Sequence, residues 1–211
     1  MSEGDESLLS GSNLVSFAQN VHPDLRQDIL NCLQYARIVA DDLHSPHQTW
    51  RPWLDAYQRT ISATGVHPGA QIRDARFKIH RFKDIGRLQL PALSNSAELR
   101  QLYLRSLDSL LASDHALAFF SNWFVSGRSE SFQIIPCAMQ SEDEATILLC
   151  GMQMTTFALR PALYFWQILG GEMQVHAAGM AFRFSRQRFE PYRQTVQDIL
   201  SDRAIAEIIS L

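Results

Sequence analysis

Residues 145–171 read ATILLCGMQMTTFALRPALYFWQILGG, and Arg160 is the one charged residue among them. A stretch so poor in charge cannot be solvated without leaving a large apolar patch exposed, so it belongs in a core. Arg160-Pro161 divides it, and the uncharged run 145–159 is too short to cross a bilayer as a helix. The pattern predicts two central, buried strands of one sheet, 144–158 and 162–169. Strands at 131–140 and 172–184 flank them. The linkers SEDE, LRP and GGE are short, which predicts antiparallel pairing between successive strands. Pro136 has no N–H for a ladder, so 131–140 is placed nearer an edge. Gly179 marks a bend or bulge in the last strand.

Upstream of the sheet the apolar period changes from two to about three and a half. Leu25, Ile29, Cys32, Leu33, Ala36, Ala40 and Leu43 form one stripe of a helix that opens at Pro23. A second helix runs from about Thr49 to Thr64 and stops before Gly65, a residue suited to a left-handed cap. Trp50, Trp53, Tyr57 and Ile61 share its buried face, and Trp53 is expected to serve stability rather than ligand binding. A third helix starts at Asn95 or Ser96 and buries Leu99, Leu102, Tyr103, Leu107, Leu110 and Leu111. A further helical stretch at 114–124 is apolar nearly all round. The last helix is placed at 190–210.

Between the second and third helices, Ala75, Phe77 and Ile79 alternate with Arg76, Lys78 and His80, which predicts an edge strand at 72–82. Six of the 19 basic residues cluster here: Arg73, Arg76, Lys78, Arg81, Lys83 and Arg87. One reading is a charged edge that resists aggregation. The other is a cationic strip for an anionic partner or a membrane surface.

The fold expected is therefore α+β: an N-terminal helical layer, an antiparallel meander of four to five strands, and a C-terminal helix. Residues 1–12 are acidic and rich in small polar residues, and are expected to form a flexible leader. Residues 13–211 are expected to form one domain, with 13–125 mainly helical and the meander over 129–185.

Chemistry is constrained mostly by exclusion. The chain has no GxGxxG, GxxxxGK[ST] or GxSxG, so dinucleotide-binding, P-loop and hydrolase-elbow readings lack their loops. Cys32, Cys137 and Cys150 lack CxxC spacing and read as buried free thiols. Cys137 and Cys150 fall on neighbouring strands, close enough in sequence terms to weigh a bridge. A Cys150–His176 pair lacks an orienting carboxylate at any recognisable spacing. His44 and His47, near Asp41 and Asp42, straddle Pro46 and read as a helix terminus. No catalytic residue, cofactor or metal is assigned.

A net charge of −3 gives no reason to expect nucleic acid. No secretory signal or membrane-spanning helix is visible. That places the protein in the cytoplasm as synthesised and leaves a signal-less export route open. The first functional expectation is a non-enzymatic interaction module that binds another protein or itself, as a homodimer closed through the β region or the 114–124 helix. The alternative is a membrane-active, toxin-like, pore-forming protein, motivated by long uncharged strands held between amphipathic helices. An enzyme of unrecognised type is the third. A membrane partner enters only with the alternative.

Overall fold

A computed structural model describes residues 5–80, 82–87, 96–113, 130–156, 173–203 and 208–211. Among these residues seven strands form one sheet: β1 Glu6–Ser10, β2 Asn13–Phe17, β3 His67–Ile79, β4 Glu130–Ser141, β5 Glu144–Thr156, β6 Met173–Ser185 and β7 Ile208–Ser210. Their spatial order is β3-β6-β5-β4-β2-β1-β7. Helices α1 Pro23–Leu43, α2 Trp50–Ala63, α3 Ala97–Ala112 and α4 Arg186–Ser201 accompany it, with a 3-10 turn at Phe82–Arg87. The α+β class stands, and the sheet is larger than the meander expected from sequence.

The centre of the sheet is β5, paired antiparallel along its length with β4 and β6. Its residues from Ala145 to Cys150 are buried except Thr146, as their lack of charge requires. The strand expected at 162–169 lies outside the described residues, as does the 114–124 helix. Both hydrogen-bonding sides of β5 are already taken by β4 and β6.

Four expectations need correction. Residues 6–10 are a strand, not leader: Leu8 and Leu9 are buried, and Gly11-Ser12 turns β1 into β2. Gly11 has φ of +60° and, among the described residues, no non-glycine residue has positive φ, which fits a hairpin turn with glycine first. Next, β4 is internal rather than near an edge, because β2 pairs with it in parallel. Gln133 donates its N–H to Ser12 O and Ala18 donates to Cys137 O, so Gln133 and Cys137 direct their backbone groups at β2. The nitrogen of Pro136 therefore lies on the β5 side. There the pairing skips residues 135 and 136 and keeps one register, from Ile134↔Cys150 to Cys137↔Ile147. The sheet tolerates the proline by giving up a ladder bond on one side.

Third, the last helix starts at Arg186, directly from β6, and Pro191 sits inside it. Residues 208–210 are not helical but pair with β1 as an edge strand. Finally, the irregularity expected at Gly179 lies in its partner. The β5–β6 register is unbroken, whereas β3 shifts between Pro68 and Gln71 and again between Ile72 and Ala75. Among the described residues the sheet thus ends in a bulged, charged strand on one side and a three-residue strand on the other, both habits that discourage edge pairing.

Register assigns the two faces. Ser10, Asn13, Gln133, Gly151 and Ala178 align across five strands and share one face. Helices α1 and α2 cover it: Leu54 packs over Gly151, and the Trp50 and His176 rings meet edge-on at 4.9 Å. The other face carries Ile134 and Cys150 beneath α3, whose Tyr103 hydroxyl donates to Ile85 O at 3.1 Å. Ser96 caps α3 by accepting from Leu99 N at 3.2 Å. Against α1, α4 is clasped by ions: the buried Asp28 carboxylate accepts from Arg186 Nε at 3.2 Å and from Arg193 at 2.8 and 2.9 Å.

The expected apolar stripe of α1 is buried apart from Leu43, which is 61% exposed at the helix end. Trp53 is buried, donates Nε1–H to Asp41 Oδ1 at 2.7 Å, and lies 5.1 Å from the Tyr57 ring. Trp53→Ala is expected to cost about 3–5 kcal/mol in denaturant unfolding, for the volume of a fully buried ring. An unchanged midpoint would show that the ring contributes little to the fold.

Candidate functional site

The face beneath α1 and α2 is not uniform. Toward the end where 157–172 links β5 to β6, it carries Ser131, Gln133, Gln153, Gln174 and His176. Beyond that row the same face is apolar: Ile135, Cys137, Ile147, Leu149, Phe182 and Phe184. The opposite face stays apolar at the polar end, with Phe132, Met152, Met154, Val175 and Ala177. So the halves of β4, β5 and β6 nearest 157–172 alternate polar with apolar. The other halves are apolar on most positions of both faces.

The helices lay polar side chains over this polar half. Gln34 of α1 donates to Ser10 Oγ at 3.4 Å, and Ser131 Oγ donates to Pro46 O at 3.3 Å in the link between α1 and α2. Asn13 and Gln133, at 1% and 0% exposure, stand side by side in register. Ser12 Oγ donates to Gln133 Oε1 at 3.2 Å. Asn13 lies beside the Tyr57 hydroxyl, yet neither its amide nor that hydroxyl completes a hydrogen bond within normal limits. Burial pushes the Tyr57 hydroxyl far above its usual range, with Arg37 near enough to oppose the shift. At the rim, Asp74 of β3 pairs with Arg51 of α2 and lies 3.6 Å from His176 Nε2. Desolvation beneath Trp50 holds the His176 imidazole below its ordinary range, against the pull of Asp74.

The residues singled out from sequence fall as follows. Arg73, Arg76 and Lys78 belong to β3, and Lys83 and Arg87 to the 3-10 turn; Arg81 lies outside the described residues. Arg76 and Lys78 are exposed. Cys137 and Cys150 project from opposite faces, so they do not meet, and Cys150 and His176 are separated in the same way. Burial pushes all three thiols up, that of Cys32 to about 12, which makes them poor nucleophiles. Asp41 is engaged by Trp53 and Asp42 by Arg203. Among the described residues no three His, Cys, Asp or Glu side chains converge as a metal site would require. Nor is any described helix long and apolar enough to cross a membrane.

Sequence reasoning missed the polar half-face. Its signal was present in Phe132-Gln133 and in Met152-Gln153-Met154, where a polar residue interrupts an apolar run at period two.

No protein-family model matches the chain, and no curated protein matches it. Solved structures do resemble it. The activated Cyt2Ba monomer from Bacillus thuringiensis subsp. israelensis aligns over 81% of this chain and 96% of its own, at 12% identity and a TM-score of 0.53. A delta-endotoxin aligns over 84% of each chain at 10% identity, with a TM-score of 0.49. At 12% identity the likeness to Cyt2Ba is one of fold: helices layered on a mostly antiparallel sheet of long strands.

Proposed function

We propose that this chain is a membrane-active, toxin-like protein whose β4–β6 meander enters the bilayer after α1 and α2 leave the sheet. The observation that carries the reading is the length and patterning of the three strands. They run for 12, 13 and 13 residues. At about 3.3 Å per residue, 13 residues reach about 43 Å, and a tilted transmembrane strand needs only about 9–11. Their halves nearest 157–172 alternate polar with apolar, as a membrane sheet facing lipid on one side must. The apolar side at that end, from Phe132 to Val175, would face acyl chains; the side with Gln133, Gln153 and His176 would face water or another copy.

The fold resembles that of a protein described in an activated form. That accords better with a protein that changes state to act than with the interaction module the sequence puts first. The test is release of an encapsulated dye from phosphatidylcholine vesicles, with and without phosphatidylserine. Micromolar protein is expected to release dye within minutes. Intact vesicles of both compositions after hours would overturn the reading.

A further inference from the structure

The contact between the α1–α2 pair and the sheet contains polar groups that the closed fold leaves without partners. Buried without a hydrogen bond inside normal limits are Gln133 Nε2 on β4, Arg37 Nε on α1, Trp50 Nε1 on α2, and the Asn13 amide of β2 and Tyr57 Oη of α2, which face each other. All lie on elements that meet across one interface. Among the described residues the remaining such atom is Ser16 Oγ, on the opposite face. A buried donor or acceptor without a partner raises the free energy of the closed state, and water relieves it on opening.

We infer that this polar seam is a release joint: the line along which α1 and α2 separate from the sheet, with its unpartnered groups setting how often they do. The inference rests on the membrane-active reading for its purpose and on the seam alone for its physics. The apolar half of the same interface, where Ile135, Ile147, Leu149 and Phe182 line the face, resists separation. The seam opposes it from within. An all-apolar contact would close more tightly and open less.

The seam yields an uncommon expectation: removing polar atoms from a buried site should stabilise the closed protein and slow it in action. Two variants serve, Tyr57→Phe alone and Tyr57→Phe combined with Asn13→Leu and Gln133→Met, all close in volume to the native residues. Hydrogen exchange by mass spectrometry reads the opening directly. In the triple variant, amides of α1 and α2 are expected to exchange about tenfold more slowly, a shift in the opening equilibrium worth about 1.4 kcal/mol, while those of β4–β6 are unchanged. Its melting temperature should rise, and dye release should slow by about the same factor.

Exchange in α1 and α2 that is unchanged or faster overturns the inference, as does slowed exchange with dye release at the native rate. The single variant guards against misfolding of the triple, since it deletes one oxygen; a lower melting temperature there would mean that the hydroxyl holds the joint closed. If the native protein releases no dye, the membrane reading falls, and slowed exchange still upholds the seam.

Discussion

Gly179→Ala is expected to destabilise the protein by about 3 kcal/mol or more, enough to leave much of the chain unfolded. Gly179 sits in the middle of β6, with Ile72 on one side and Cys150 on the other. A Cβ built there would stand 1.8 Å from the carbonyl oxygen of Leu149 and 3.1 Å from Ile72 Cδ1. The first of those atoms is main chain in the β5–β6 ladder, so it cannot retreat without breaking the central pairing. The bulge of β3 between Ile72 and Ala75 lies opposite, where strands already crowd. Gly151 is a useful contrast. Its Cβ would meet the Leu54 methyls at 2.9 and 3.0 Å, and a leucine side chain can turn away. The order expected in chemical denaturation is therefore wild type, then Gly151→Ala, then Gly179→Ala, with a wide last gap. Equal midpoints for the two alanines would refute the argument.

What the sequence disclosed followed from local physics. Lack of charge placed β5 at the centre, since few environments other than a doubly covered sheet accept ILLC with both faces apolar. The stripes of α1 and α2, and the positive φ of 81° at Gly65, are equally local. What stayed hidden depended on partners distant in sequence. Pro136 forbids a donor on one side of β4, and only the arrival of β2 in parallel shows that this side faces β5 and that the other is filled. The β1–β2 hairpin was within reach of sequence reasoning. Leu8-Leu9-Ser10, then Gly11-Ser12, then Asn13-Leu14-Val15 is a strand, a two-residue turn and a strand, masked by acidic and small residues before it. Ile208–Ser210 looks helical because isoleucine spacing there fits either period, and pairing with β1 decides it. The seam is harder still. Asn13 and Gln133 stand 120 positions apart in sequence, and nothing local says that they will share a buried row.

The second large effect expected is on activity. Leu54→Cys combined with Gly151→Cys, oxidised, should abolish dye release, and a reductant should restore it. The geometry is favourable because a Cβ on residue 151 points straight at the end of the Leu54 side chain. The two positions thus face each other across the contact, as a disulfide requires. Such a bond would staple α2 to β5 beside the seam, where Gly151 stands in register with Gln133, and so block separation without replacing any of the polar groups. The native thiols should not interfere: Cys150 projects to the far face, and burial keeps Cys32, Cys137 and Cys150 protonated. Each single cysteine variant, and the reduced double variant, should release dye, which separates the staple from the substitutions themselves. If α1 and α2 must leave the sheet before β4–β6 can enter a membrane, the oxidised protein has no route to do so. Dye release by the oxidised form at the rate of its reduced form would mean that the helices stay in place while the protein acts, and that some other element meets the lipid.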